Sequence, residues 1–401
     1  MSDGRFRALR ESANFRRFFV GQTISLSGTW MQSVGQAWLV LKITGSPASV
    51  GLVTAVQTLP ILLFGAAGGV LIDRVDTRRV LIATNVAGAV QALLLGVLVL
   101  SGSVRLWMVF ALAASYGFVQ LLDNPARQAF ALELVGRELL PNAVTLNSIN
   151  MNAARVFGPS VAAGVIAWLG VGACFVINAS SFGAVVLALS TLRHSELQPP
   201  RREPRHKGQL KEGLQYVWAQ RELRLLLAMM TLIGTLTYEF SVTLPALAEF
   251  TFGGGATTFG LMTGAMGVGA VIGGLLTAGR PRSGIRTVIQ QSALFGLSVL
   301  LVAIAPTEWL AIGALTLVGA GSIVFVARAN ATVQLLAEPA KRGRVMALWT
   351  MAFLGTTPFG APTVGWLAEH TNPRWALAAG GFAALASALL GFALRGSVHV
   401  E

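Results

Sequence analysis

The side chains able to do chemistry in this chain are few, and most of them interrupt apolar sequence. Gln22, Ser25, Thr29, Gln32 and Gln36 recur at spacings of 3, 4, 3 and 4, which places them on one face of a helix. Tyr116, Gln120, Asp123 and Arg127 follow at 4, 3 and 4, and Thr231, Thr235 and Glu239 at 4 and 4. In apolar surroundings each such group is costly, so each stripe either lines a cavity or ties one helix to another. Two ionisable groups lie deepest. Arg155 falls about 15 Å into its apolar run and Glu239 about 21 Å, at 1.5 Å per helical residue. Arg155 needs an acceptor, and Asp123 is the nearest candidate by depth. Glu239 has no evident basic partner in its own half. A carboxyl there is neutral when protonated and costly when not, so it either carries a proton or stays protonated and hydrogen-bonds a neighbour.

No metal or cofactor is expected. The single cysteine, Cys174, sits inside an apolar run, and His194, His206, His370 and His399 lie at or beyond the ends of such runs. No nucleophile, base and acid gather as an enzyme would require, and no phosphate-binding glycine loop marks a primary pump.

The elements that position these residues follow from composition. In 401 residues, 54% are hydrophobic and only 12% charged, and the mean hydropathy is +0.66. A soluble domain carries about 25% charge. Soluble enzyme, nucleic-acid binder and disulfide scaffold are thereby excluded, and lipid is the solvent for most of the chain. Twelve apolar runs are read: about 18–41, 49–72, 80–101, 106–122, 143–168, 171–192, 225–248, 256–278, 287–305, 309–327, 345–368 and 375–394. The first is expected to be a span and not a cleavable signal, since it is long and leads straight into the second.

The basic residues orient the spans. Loops from odd to even runs hold only Lys42, Arg105 and Arg374, whereas the two termini and the even-to-odd loops hold 26 lysines and arginines. Positive loops stay cytoplasmic, so both termini are expected there, in a multi-pass protein of the cell membrane. The net charge of +13 is then a topology signal with some attraction to anionic lipid, and not a mark of nucleic-acid binding. The longest polar stretch predicts a basic cytoplasmic linker at 193–224 between six-helix halves at 1–192 and 225–401. An internal repeat agrees. Gly68-Gly69-Val70-Leu71 matches Gly273-Gly274-Leu275-Leu276, and Asn124 with Gln128 matches Asn330 with Gln334, at offsets of 205 and 206. An even number of runs separates the copies, so the repeat is parallel.

The loop after the second run continues Ile72-Asp73-Arg74-Val75-Asp76-Thr77-Arg78-Arg79. A glycine pair, an acid and close-set arginines here resemble the loop signature of the major facilitator superfamily. That resemblance implies the twelve-helix, two-half fold and a cavity lined by helices 1, 4, 7 and 10. It also implies a conformational latch of Gly69, Asp73, Arg74, Arg78 and Arg79, in which Asp73 faces the positive N-terminal end of helix 11 and Arg78 or Arg79 is its basic partner. Each arginine also serves as a positive-inside anchor. The second copy reads Thr277-Ala278-Gly279-Arg280 and has lost the acid.

Three further segments resemble the branch containing enterobactin and macrolide exporters. They are Gly343-Arg344-Val345-Met346-Ala347-Leu348-Trp349 after Lys341-Arg342, Ser46-Pro47, and Asn124-Pro125-Ala126-Arg127-Gln128. The run from Arg155 to Gly164, with Gly158-Pro159 inside it, resembles a helix 5 element of proton-driven drug exporters, where proline kinks the helix and small residues pack it. The same residues also suit a packing kink with no bearing on direction. The expectation is therefore a monomeric secondary transporter, exporting a small amphipathic molecule by alternating access with proton antiport. An importer or lysolipid flippase on the same fold is the alternative. The expected proton-coupling and charge-pair site of the exporter comprises Glu239, Arg155 and Asp123, with Gln22, Ser25, Thr29, Gln32, Gln36, Tyr116, Gln120, Thr231 and Thr235 lining the cavity.

Overall fold

The computed structural model describes residues 6–72, 74–198, 209–277, 284–338 and 341–395. All regular structure among them is helical. The helices are α1 (Arg7–Glu11), α2 (Ala13–Thr44), α3 (Pro47–Ile72), α4 (Thr77–Leu100), α5 (Leu106–Leu169), α6 (Val171–Ser190), α7 (Gln209–Ala219) and α8 (Arg221–Leu236). After α9 (Phe240–Ala246) and a π turn at Leu247–Thr251 come α10 (Gly255–Thr277), α11 (Ile285–Ile304), α12 (Glu308–Leu336), α13 (Arg342–Leu354), α14 (Thr357–His370) and α15 (Pro373–Arg395).

Among the described residues, nine helical stretches are long and apolar enough to cross a membrane. One of them, α5, is two helices joined at Gly136, whose φ of 69° only glycine adopts readily. Another is α8, α9 and the π turn taken together. The polar stripe of α2 and the division of the eleventh apolar run into α13 and α14 keep these helices out of that set.

The chain forms two compact units, Met1–Ile43 with Val56–Glu203, and Thr44–Ala55 with Pro204–Glu401. In the first, Gly21, Gly28 and Gly35 recur every seven residues along the face of α2 that meets α6. A Cβ at Gly28 would stand 2.4 Å from Ser181 Oγ, so the two helices touch almost backbone to backbone. Phe15, Phe18, Leu81, Phe130 and Leu189 close one end of this unit as a buried apolar cluster.

In the second unit α10 and α12 interlock through reciprocal glycines. A Cβ at Gly269 would lie 1.9 Å from the Thr316 carbonyl, and one at Gly319 would lie 1.8 Å from the Met266 carbonyl. The first turns of α3 also belong to this unit. Gly51 meets the Ala361 carbonyl and Gly365 meets the Pro47 carbonyl, so α3 and α14 lie in close contact there.

Candidate functional site

Within the first unit, the α2 stripe is mostly spent on helix-to-helix hydrogen bonds. Gln22, Ser25, Gln32 and Gln36 are buried, with Thr29 half-buried. Gln32 donates to Gln91 Oε1 at 3.1 Å and accepts from Asn178 Nδ2 at 2.7 Å, while Ser181 donates to Asn178 Oδ1 at 2.9 Å. Gln36 donates to Gln57 Oε1 at 2.9 Å. These amides therefore tie α2 to α3, α4 and α6. Their partners, Gln57, Gln91 and Asn178, escaped the sequence reading because each is a lone amide in its own run, with no stripe to mark it.

A charged cluster forms at the other end of the stripe. Asp123 on α5 accepts from Thr84 Oγ1 at 2.8 Å and Asn85 Nδ2 at 3.1 Å, both on α4, and pairs with Arg127 one turn along. Arg127 in turn donates to Gln22 on α2. Arg127 Nε and Gln22 Nε2 remain buried without hydrogen-bond partners among the described residues. Tyr116 is buried against Phe182, its hydroxyl beside Gln120 and Thr29.

The expected pairing of Arg155 with Asp123 is thus corrected. The carboxylate of Asp123 is held by Arg127 at position i+4 of the same helix, a partner it reaches without crossing any helix interface. Arg155 instead lies over the Trp30 ring, its guanidinium carbon 4.9 Å from the centroid. The cause is Gly158, where a Cβ would meet Trp30 Cβ at 2.5 Å and the Ser27 carbonyl at 2.8 Å. That close approach brings the preceding turn of α5, which carries Arg155, onto Trp30. Pro159 is buried beside it, whereas Gly164 faces open space, so only the first two of the three expected kink residues serve packing. The departure from helical dihedrals in α5 is at Gly136.

Of the latch residues, Asp73 lies outside the described residues, and Gly69 falls in the last turn of α3. Arg74 is exposed in the turn after it. Arg78 Nε donates to the Leu189 carbonyl at 2.8 Å, capping the C-terminal end of α6, and its Nη1 lies 2.8 Å from His194 Nε2. Arg79 pairs loosely with Asp76 at 3.6 Å, and Asp76 caps the start of α4.

In the second unit, Glu239 sits where the seventh apolar run is broken between α8 and α9, at residues 237–239. It is 2% exposed, and its Oε1 has no hydrogen-bond partner among the described residues. The Thr357 hydroxyl lies against the carboxyl. Thr357 opens α14, just after a second break at residues 355–356. Two broken helices therefore meet at one buried acid. The break in α8 is cradled by glycines. A Cβ at Gly360 would stand 1.9 Å from the Thr235 carbonyl and 3.0 Å from Glu239 Oε1, and one at Gly380 would stand 2.8 Å from the Leu236 carbonyl.

Thr237 Oγ1 donates to the Gly380 carbonyl at 2.7 Å, and Tyr238 Oη donates to the Ser322 carbonyl at 3.0 Å. Thr231 and Thr235 turn their hydroxyls back onto the carbonyls of Leu227 and Thr231. Broken helices with a buried ionisable group are the arrangement by which membrane transporters hold ions and substrates. Sequence reading singled out Glu239 but not Thr357 or Gly360. The run Gly355-Thr356-Thr357-Pro358, with a stop signal and a start signal side by side, would have marked that break.

A family model described as transmembrane secretion effector matches residues 4–398. Among curated proteins, the chain is 25% identical over 260 residues to the staphyloferrin A transporter of Staphylococcus aureus, covering 65% of each chain. It therefore spans just under two thirds of that relative's length. It is 27% identical over 353 residues to the multidrug efflux pump Tap of Mycolicibacterium fortuitum, covering 86% of each. Among solved structures, the nucleoside transporter NupG superposes with a TM-score of 0.74 at 14% identity, over 97% of this chain and 100% of that one.

Proposed function

The chain belongs to the transmembrane secretion effector family of the major facilitator superfamily, all-helical multi-pass transporters and not enzymes, and from that premise we propose that it is a proton-coupled exporter. It takes a small amphipathic molecule from the cytoplasmic side of the cell membrane and releases it outside, by alternating access between two six-helix halves at 1–192 and 225–401. Both termini are cytoplasmic, twelve spans cross the membrane, and the monomer is the working unit. Relatives named as a multidrug efflux pump and a staphyloferrin A transporter support export of a small amphipathic solute.

The observation that carries the coupling is Glu239, a buried carboxyl with an unpaired oxygen where two helices are interrupted. Protonated, it is neutral and tolerated among apolar neighbours. Deprotonated, it demands water or a cation, and that difference lets a proton select between an occluded and an open site. Asp73 serves as the cytoplasmic latch acid in this reading, and the Asp123–Arg127 cluster as the charged joint of the first half.

Purified protein in proteoliposomes, with a pH gradient imposed and candidate amphipathic dyes, macrolides and siderophores offered in turn, tests the proposal. Gradient-driven movement of a solute in the direction opposite to protons is expected. Movement in the same direction as protons, or translocation of lysolipid alone without response to the gradient, would replace it with the importer or flippase reading.

A further inference from the structure

We propose that α7 is an interfacial helix that docks on anionic lipid headgroups and thereby fixes the entry to α13. It is amphipathic in a particular way. On one face, Gly213 and Val217 are buried, and a Cβ at Gly213 would stand 3.1 Å from Arg344 Cβ. That face is bolted to the start of α13 and the residues before it. Glu212 pairs with Arg344 at 2.6 Å, and the Tyr216 hydroxyl accepts the Glu338 amide at 3.0 Å. Lys341 lies 4.3 Å above the Tyr216 ring and 3.1 Å from Glu338.

The other face is apolar and bare. Leu214 is 49% exposed and Trp218 is 71% exposed, one helical turn apart. The helix is followed within two residues by α8, which begins a membrane-crossing stretch, so this stripe lies where the chain enters the bilayer. An indole beside a guanidinium suits the headgroup layer. Arg224 sits 5.6 Å over the Trp218 ring and donates to the Trp218 carbonyl at 2.9 Å. Lys207, Lys211, Arg221 and Arg224 flank the stripe in sequence, against Glu222 and the already paired Glu212. A bare apolar stripe with basic flanks is the pattern that binds an anionic membrane surface.

The inference requires only that the chain spans a membrane, and it is independent of transport direction and coupling ion. Cys174 is the sole cysteine and is buried, so L214C can be labelled with an environment-sensitive fluorophore in a Cys174→Ala background. The labelled full-length protein is placed in nanodiscs of phosphatidylcholine alone or mixed with phosphatidylglycerol, with or without acyl-brominated lipid. Expected are blue-shifted emission, quenching by brominated lipid, and deeper quenching when phosphatidylglycerol is present. Added salt and the double change Arg221→Gln with Arg224→Gln should remove the phosphatidylglycerol effect. Water-like emission unaffected by bromine would overturn the proposal, as would blue-shifted emission that bromine does not quench, since protein would then cover the stripe. Equal quenching in both lipids would overturn its anionic selectivity.

Discussion

Gly360 on α14 leaves the space that Glu239 and the Thr235 carbonyl occupy at the break between α8 and α9. A single added Cβ would stand 1.9 Å from the Thr235 oxygen and 3.0 Å from Glu239 Oε1. The glycine matters because its contact is backbone and cannot move aside as a flexible side chain would. Gly360→Ala should therefore push the two broken helices apart, at a cost of about 1–3 kcal/mol. A lowered melting temperature in detergent, together with lost transport, is the expected result. Gly164→Ala, at a position with open space around it, is the matched control and should be neutral. Equal behaviour of the two variants would remove the packing argument.

Glu239→Gln imitates the protonated acid without being able to release the proton. It should abolish accumulation driven by a pH gradient while preserving substrate binding and exchange of substrate across the membrane. Flux in proteoliposomes with and without the gradient checks this. A Gln variant accelerated by the gradient as strongly as the unaltered protein would take Glu239 out of the coupling step.

Asp123 is buried and its partner Arg127 largely so, and removing either leaves the other charge uncompensated. Arg127→Ala should destabilise by about 3–5 kcal/mol, and the double variant with Asp123→Asn should cost less than the two single losses added together. Arg155→Ala should combine additively with Asp123→Asn, since Arg155 lies over Trp30 instead. Thermal melts of the five variants form the two cycles. Strong coupling between positions 123 and 155, with none between 123 and 127, would contradict the arrangement.

What the sequence showed, and what it hid, divides along physical lines. Helical periodicity exposed the stripes of α2, α5 and α8, because 3.6-residue spacing is local information. It did not say whether a stripe faces a cavity or another helix. Gln32 and Gln36 face neighbouring helices, since Gln91, Asn178 and Gln57 are brought to them only by packing. Depth along a run suggested Asp123 for Arg155, yet depth carries no rotation about the helix axis, and the nearer partner at i+4 took the carboxylate. That Glu239 meets no basic side chain among the described residues agrees with how few charges interrupt the apolar runs. The second break beside it is marked locally by Gly355-Thr356-Thr357-Pro358, but that it brings Thr357 against Glu239 is set only by packing.

Ser46 and Glu369 meet across more than three hundred residues, a pair invisible to sequence spacing. Ser46 precedes Pro47 at the start of α3, and its Oγ accepts the Ser49 amide at 3.1 Å, a helix N-cap. The Ser46 hydroxyl donates in turn to Glu369 Oε2, which also accepts the Ala48 amide at 3.1 Å. A carboxylate at the end of α14 thus satisfies the amide end of α3, where the helix dipole favours negative charge. Ser46→Ala should cost about 1 kcal/mol through the cap alone. Glu369→Gln keeps an acceptor oxygen but loses the charge, so it should cost less than Glu369→Ala, and in the Glu369→Ala background the Ser46 change should cost less, since only the cap then remains to be lost. The first turns of α3 are the part of that helix which belongs to the second unit, so losing the clasp should also loosen them. Hydrogen exchange at residues 48–52 should rise in Glu369→Ala while exchange at residues 60–65 stays constant. A uniform rise along all of α3, or no change at its start, would show that the clasp does not hold this end.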